Sequence, residues 1–424
     1  MNETKRESGL RSALPSVLRH RDFRLFFGGQ AISLTGTWMQ MLAQSWVVMG
    51  LTSSALALGA INFAVSLPML LFTLLGGVAA DRWDKRRILL VAQSALMICA
   101  FILGTIVALG ELQIWHVVAV AVLVGLATAY ELPATQSLVP ELVERHEISQ
   151  AIALNQAVFH GSRLIGPALA GGFIAAFGAT SAFFANGLSF VAVLVSLLLI
   201  KSRPRRPGLV PASQLSALRE GLAYVWQSPR LRTLMGLTSL ITLFVFPNLV
   251  VLMPLYAQDV LGLDAAAMGL LMAASGFGSL VASIGMLRVA TEQRGLRIAQ
   301  GAAASGLALG LLAVAPSVWM AAPTVWVLSF GLSLAMGLTA TIIQQSVPDA
   351  LRGRVMSVHT MMFVGVMPFA TLGISGLSDL IGQTNQLGLS AVLFSFGALA
   401  LWRLDAAAHS ETTTVAAPDL AEAV

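Results

Sequence analysis

Gly77-Val78-Ala79-Ala80-Asp81-Arg82-Trp83-Asp84-Lys85-Arg86-Arg87 interrupts two long apolar runs. A helix-ending glycine, an aspartate and a basic cluster are packed into a stretch that leaves room only for a turn. Basic residues accumulate in the short cytoplasmic loops of membrane proteins, so this segment reads as a cytoplasmic connection between two transmembrane helices.

Working outward, the whole chain agrees with that reading. Of its 424 residues, 57% are hydrophobic and 11% charged, against roughly 25% charged in an ordinary soluble domain. The mean hydropathy is +0.81. The single cysteine, Cys99, lies inside an apolar run. It excludes disulfides, CxxC redox chemistry and cysteine metal sites, and reads as a small packing residue. The first 22 residues carry Lys5, Arg6, Arg11, Arg19 and Arg21 without the apolar core of a secretory signal, so the amino terminus is expected to be retained on the basic side. A net charge of +5 and a pI near 10 would suit a nucleic-acid partner. The basic residues instead fall in short clusters between apolar stretches, which topology explains and which leaves no nucleic acid among the expected partners.

Crossing about 30 Å of hydrocarbon takes about 20 apolar residues. Such runs predict helices at 24–50, 56–80, 88–109, 116–139, 151–176, 180–200, 233–257, 266–288, 296–315, 320–343, 354–378 and 386–403. With both termini cytoplasmic, 24 of the 25 lysines and arginines fall on the cytoplasmic side, and the remaining one, Arg163, lies inside the fifth helix. The expected fold is therefore all-α and integral to the membrane, with twelve transmembrane helices. The polar interruption after Lys201 holds Pro204, Pro207 and Pro211 and divides the chain into six helices and six. Residues 1–200 and 232–404 are expected to form two bundles, with 201–231 as a cytoplasmic linker and 405–424 as a disordered tail. Leu215, Leu218, Leu222 and Val225 recur at helical spacing beside Arg219 and Glu220, which fits an amphipathic helix on the membrane surface or a solvated linker helix. Gln136-Ser137-Leu138-Val139-Pro140-Glu141 is echoed by Gln345-Ser346-Val347-Pro348-Asp349, a weak internal repeat. Two pseudosymmetric bundles with a site at their interface are a known transporter architecture.

Glu131 and Arg163 are the acid and the base placed deepest, roughly 14 and 18 Å from the cytoplasmic ends of the fourth and fifth helices at 1.5 Å per residue. Consecutive antiparallel helices allow them to meet. An ionisable group in the bilayer interior is a functional candidate by default. Glu131 is then either a proton-binding carboxylate, with Arg163 as its switching partner, or half of a permanent ion pair joining two helices. His160, one turn before Arg163, either joins a relay or is an ordinary hydrogen-bonded histidine.

The first helix bears Gln30, Ser33, Thr37, Gln40 and Gln44 at steps of three and four, a polar stripe that must face protein or water. It lines a central cavity with Trp38 and Met41, or else makes interhelical hydrogen bonds. Tyr130, Asn155 and Phe159 complete the candidate lining. An uncharged, aromatic and methionine-bearing wall suits an amphiphilic solute. In the fifth helix, small residues at 162, 166 and 170 with Pro167 permit close approach and a bend.

These segments resemble the major facilitator superfamily, in particular its enterobactin-exporter and drug-efflux group. The opening loop resembles the pattern G-x-L-A-D-R-x-G-R-K, with Ala79 and Asp84 replacing leucine and glycine. Ser162 through Gly172 resembles the antiporter motif G-x-x-x-G-P-x-x-G-G, with Gly166, Pro167 and Gly171 in place and Ser162 and Ala170 substituted. Further resemblances are Arg21 through Phe26, Gly36 through Gln40, Glu131 through Glu141, Asn155 through Gly171 and Leu351 through Ser357, so nearly the whole chain is covered. Thr135 stands where relatives often carry arginine, and the second-half loop, Gly285 through Arg297, lacks the Asp-Arg pair.

The resemblance implies that Gly77, Asp81, Arg82, Lys85, Arg86 and Arg87 form a gating loop. Asp81 would contact the amino-terminal end of the eleventh helix, and the basic residues would pair with acids such as Glu141. It further implies export of a siderophore or hydrophobic drug by alternating access and proton antiport across the cytoplasmic (inner) membrane. No cofactor is expected beyond the proton gradient, and the monomer is the expected functional form. Import of a small metabolite or a non-transporting receptor are the alternatives. Neither HExxH nor GxSxG occurs and no metal-ligand cluster is visible, so an enzyme is not expected.

Overall fold

The computed structural model describes residues 16–200 and 214–415. Residues 201–213, which hold the prolines of the expected linker, and residues 416–424 of the expected tail lie outside the described residues. Described residues are helical or connecting, with no strand among them.

The first six helices are α1 Arg21–Leu51, α2 Ala55–Arg82, α3 Lys85–Ala108, α4 Ile114–Leu138, α5 Ile148–Phe177 and α6 Ala179–Leu199. A shorter helix, α7 Gln214–Gln227, follows. Then come α8 Pro229–Val250, α9 Ala265–Met286, α10 Arg294–Ala313, α11 Val318–Ser346, α12 Asp349–Val364, α13 Met367–Ile381 and α14 Gln383–Val415. Ten of the described spans are long and apolar enough to cross a membrane. The two long helices of the first half outside that set are α1 and α5, of 31 and 30 residues. They are the helices whose polar residues were singled out above, and those residues lower their hydropathy.

Three expected helices differ in form. The span expected at 233–257 is not one α-helix: a π turn at Ile241–Val245, a break at Val251 and Leu252, and a second π turn at Tyr256–Val260 divide it. Pro247 and Pro254 each remove a backbone donor from the ladder. Asn248 Nδ2 donates to Phe244 O at 2.8 Å, Gln383 Nε2 to Leu252 O at 2.9 Å and Tyr256 Oη to Leu312 O at 2.7 Å, so partners outside the ladder hold the broken segment. The span expected at 354–378 is interrupted between Val364 and Met367, next to Pro368. The last helix runs past residue 405 to Val415, because Ala406, Ala407 and Ala408 are strong helix formers. That helical stretch replaces the first part of the expected disordered tail.

The chain divides into two compact units. Unit one comprises residues 1–53, 64–208 and 264–273, and unit two residues 54–63, 209–263 and 274–424. In unit one α1 packs on α6 and α5, and α3 packs on α4 and α6. Gly29 and Gly36 let α1 approach α6 where a side chain would strike Val193 and Asn186. Apolar side chains close the end of this unit at Val17, Phe23, Phe26, Leu89, Leu142 and Leu197, all nearly inaccessible.

In unit two α10 packs on α11 and α14, and α8 packs on α14. The pairing of third with fourth and sixth helix, and of first with sixth, thus recurs in the second half. The same recurrence shows in the turns. Gly178 between α5 and α6 and Gly382 between α13 and α14 have φ of 78° and 83°. Either helix pair is joined by a single residue in a backbone region open to glycine.

Unit two also holds α7, which lies on α12. Glu220 pairs with Arg354, and Gly221 sits against the Arg354 backbone. Leu222 and Trp226 are exposed on its surface. At the start of α2, Ser54 Oγ, Ala55 N and Leu56 N donate to the Asp379 carboxylate at 2.6, 2.7 and 3.1 Å, so a residue of α13 caps α2.

Candidate functional site

Glu131 lies towards the end of α4, two residues before Pro133. Its Oε1 accepts from Gln93 Nε2 of α3 at 3.0 Å, and the carboxyl also faces the Gln30 amide of α1. Three helices of unit one therefore converge on one carboxyl. Gln30 and Gln93 are buried to within 5% and 2% exposure, and the Oε1 atom of each is buried without a hydrogen-bond partner among the described residues. Buried amide oxygens are usually satisfied, so the cluster has accepting capacity to spare.

Arg163 has a different surrounding. Its guanidinium carbon lies 5.7 Å from the ring centroid of Trp38, over the indole face. Trp38 meets Phe159 edge-on at 5.9 Å and 73°, and Phe159 meets His160 edge-on at 5.6 Å. A cation over an indole gains about 0.5–2 kcal/mol, the more so away from water. Glu131 thus meets the amides of Gln30 and Gln93, and Arg163 meets the aromatic face of Trp38. His160 Nδ1 is buried without a hydrogen-bond partner among the described residues. Its ring belongs to the aromatic group with Phe159, Trp38 and Arg163.

The polar stripe of α1 splits by depth and partner. Gln30 and Ser33 are buried, Gln40 Oε1 accepts from Asn186 Nδ2 of α6 at 2.7 Å, and Thr37 returns its hydroxyl to Ser33 O at 3.0 Å. Met41 and Gln44 are half-buried on the next turns, as are Tyr130 on α4 and Asn155 on α5. Gln40 is therefore tied to a neighbouring helix, whereas Gln30 stands at the carboxyl.

The small residues of α5 face α1 directly. Thr35 Oγ1 donates to Ser162 Oγ at 3.1 Å, and a Cβ on Gly166 would lie 2.5 Å from that of Trp38. Further along, Gly171 abuts the backbone of Ala265, and Gly269 abuts Pro167 O. Real Cβ contacts are essentially never this close, so these positions admit glycine and little else. The seam holds Trp38 where its face meets Arg163.

In the loop between α2 and α3, Asp84 caps α3 by accepting from Arg86 N at 2.9 Å. Lys85 pairs with Glu141, and Arg86 donates to Leu198 O at 2.8 Å. Gly77, with open space around it, and Asp81 lie in the last turns of α2, and Arg82 ends that helix. Arg87 is exposed.

Two features escaped sequence reasoning. Gln93 sits in an apolar run with no periodic polar companion, so nothing but its rarity in such a run could have marked it. The second is a junction at the start of α1. His20 Nε2 lies 2.5 Å from Glu147 Oε2, and Ser16 donates to Gln150 Oε1 at 3.0 Å. Glu147 is nearly inaccessible, and its carboxyl is held below the ordinary carboxylate range, first by a hydrogen bond from Ser16 and further by His20. The buried polar side chains of unit two are hydroxyls, amides and one histidine, His359, whose Nε2 lies 3.2 Å from Thr238 Oγ1.

A family model described as transmembrane secretion effector matches residues 12–423. The staphyloferrin A transporter of Staphylococcus aureus (strain NCTC 8325 / PS 47) is 25% identical over 372 residues, covering 87% of this chain and 92% of the relative. The multidrug efflux pump Tap of Mycolicibacterium fortuitum is 26% identical over 385 residues, with the same coverages of 87% and 92%. Among solved structures, a POT family transporter in complex with a thioalcohol-conjugated peptide superposes with a TM-score of 0.72 at 14% identity, covering 91% of this chain and 96% of that one. A bacterial homologue of the iron transporter ferroportin, in its inward-facing state, gives 0.65 at 16% identity, covering 91% and 97%. The structural likenesses carry the fold.

Proposed function

This chain belongs to the transmembrane secretion effector family of major facilitator transporters, and from that premise we propose that it exports a small amphiphilic compound by alternating access in exchange for protons. It is a multi-pass membrane transporter and not an enzyme. The finer reading places it in the cytoplasmic (inner) membrane with both termini in the cytoplasm, supported by the distribution of 24 of its 25 basic residues.

The observation that carries the proposal is the Glu131 cluster in unit one. A carboxyl held part-way along a membrane helix by two neutral amides, with no base paired to it among the described residues, can change charge. A permanent ion pair would keep it ionised. Protonation from outside favours release of the solute, and deprotonation towards the cytoplasm resets the site. Trp38, Phe159, Met41 and Tyr130 offer the apolar part of a solute adaptable contact area, while Gln44 and Asn155 supply polar anchors. Relatives that move staphyloferrin A or several drugs support a siderophore or a hydrophobic drug as the class of substrate.

Asp81, in the last turn of α2, acts as a latch on the cycle, a role supported by the resemblance of residues 77–87 to the gating-loop pattern. Gly166 sets the approach of α5 to α1 on which the site depends, and Pro167 and Gly171 set its approach to α9. The test compares a deletion strain carrying the wild-type gene with one carrying Glu131→Gln. The strains are scored for drug sensitivity and secreted siderophore, then for efflux of the identified solute from proteoliposomes under an imposed pH gradient. Loss of gradient-driven efflux is expected in the variant. Unchanged coupling would remove Glu131 from the mechanism.

A further inference from the structure

We propose that Gln93 is a positioning residue for Glu131, its ambident amide serving the carboxyl in both of its charge states. The inference rests on the reading of Glu131 as the proton carrier. Gln93 lies on the face of α3 that also buries Leu89, Ala92, Ala100 and Leu103, and it is 2% exposed. An amide buried in such company costs free energy unless its hydrogen bonds are made. One of them is made, from Nε2 to Glu131 Oε1 at 3.0 Å, while Oε1 has no partner among the described residues.

The chemistry of the two groups explains this half-used amide. An ionised carboxylate only accepts, whereas a protonated carboxyl has an O–H to donate. A glutamine amide presents a donor and an acceptor on one flat end, and half a turn about its last single bond exchanges them. With Glu131 ionised, Nε2 faces the carboxylate, the arrangement observed. With Glu131 protonated, Oε1 turns to accept the new O–H, and the orphaned oxygen gains its partner. No backbone movement is needed. An arginine or lysine would serve the ionised form alone, and leucine or methionine neither.

The neighbourhood leaves this role to amides. From α1 the carboxyl faces Gln30, from α3 Gln93. Neither α1 beyond Arg24, α2 before Asp81, α6 nor α3 beyond Arg87 carries a charged residue. On α5, Arg163 rests on Trp38 and His160 beside Phe159. Gln30, whose Oε1 is likewise buried and unpartnered among the described residues, stands on the opposite flank.

The experiment needs no substrate. Purified full-length protein is titrated by infrared difference spectroscopy, and Glu131→Gln identifies the carboxyl band that belongs to Glu131. In Gln93→Met, of similar length but without hydrogen bonds, the midpoint of that band is expected to rise by about one pH unit, the amount by which a hydrogen bond to the charged carboxylate exceeds one to the neutral carboxyl. The C=O frequency of the protonated form is expected to move as well. Gln93→Asn, which draws the amide back by one methylene, is expected to shift the midpoint less and provides the measurement should the methionine variant misfold. A purely structural glutamine would lower thermal stability while leaving midpoint and frequency in place, and that result overturns the proposal. A band that titrates normally with unmoved values in both variants rejects the role of Gln93 alone. The absence of any titrating band lost in Glu131→Gln rejects Glu131 as proton carrier and this inference with it.

Discussion

Unit one pairs α3 with α4 and α6 much as unit two pairs α10 with α11 and α14, yet the two bury different chemistry. Unit one has a continuous α1, an acid between two amides and a base on an indole. Unit two has a first long helix broken by π turns and prolines, and it satisfies its interior with hydroxyls, amides and His359. Related scaffolds have thus divided the work. The half with the continuous first helix holds the acid and the base at membrane depth, and the half whose described buried polar side chains are hydroxyls, amides and His359 carries the irregular backbone. Non-helical backbone at membrane depth persists where protein or a water-filled cavity covers it, and π turns gather at functional sites.

The strongest test of this division pits the acid of one unit against the histidine of the other. Glu131→Gln is expected to lower pH-gradient-driven export roughly a hundredfold, the lower range for a positioned proton-transfer group. His359→Gln, whose side chain can still reach Thr238, is expected to stay within about twofold. Similar losses in both would mean that charge handling is shared and the comparison is mistaken.

A second asymmetry lies in the loops. The end of α2 and the start of α3 hold Asp81, Arg82, Lys85, Arg86 and Arg87, whereas Gly285 through Arg297 has no Asp-Arg pair. Asp81→Asn is expected to slow turnover about tenfold, or about 1.4 kcal/mol in the barrier, while the amount of protein in the membrane is unchanged. Glu292→Gln in the other loop should have no effect on transport. Wild-type turnover by Asp81→Asn would dissolve the idea of a one-sided latch.

Packing provides a smaller contrast. A side chain on Gly166 of α5 would strike Trp38 and Thr35, while Gly373 of α13 has open space around it. Gly166→Val is expected to destabilise unit one by about 1–3 kcal/mol through overpacking and to displace Trp38 from Arg163. Gly373→Val should change thermal stability by less than about 0.5 kcal/mol. Equal effects at both sites would show that the α1–α5 seam has no special rigidity.

Much of this was legible because membrane helices obey strict rules. Length, the glycine and proline punctuation and the distribution of Lys and Arg marked the helix positions, since a lipid-facing backbone has few alternatives. Glu131, Arg163 and the α1 stripe stood out as polar exceptions. What escaped was pairing. Consecutive antiparallel helices marked Glu131 and Arg163 as groups that could meet, but the rotation of each helix about its axis decides which neighbours a side chain has. Hence Gln93, silent in its own helix, became the partner of Glu131. The capping of α2 by Asp379, across more than three hundred residues of sequence, was invisible for the same reason. The breaks in α8 were only half legible, because prolines are tolerated within α2, α4, α5 and α11 without interrupting them.

The smallest expected effect concerns how each unit fastens its peripheral segment. Unit two holds α7 through Glu220 and Arg354, both partly exposed. Unit one holds the start of α1 through Glu147, nearly inaccessible, with Ser16 and His20 around it. Because the folded Glu147 carboxyl lies below its ordinary value, its contribution is complete above the unfolded pKa, about 4.3, and is lost as pH falls through the lower folded value. The melting-temperature gap between wild type and Glu147→Gln should therefore be open near pH 5 and close in stronger acid. Glu220→Gln, at a more exposed pair, should open little gap at any pH, since such pairs contribute about 0–1 kcal/mol. A gap for Glu147→Gln that persists unchanged into acid would show that shape, and not the ionised carboxylate, fastens the junction. The two units would then anchor their flanking segments by the same means.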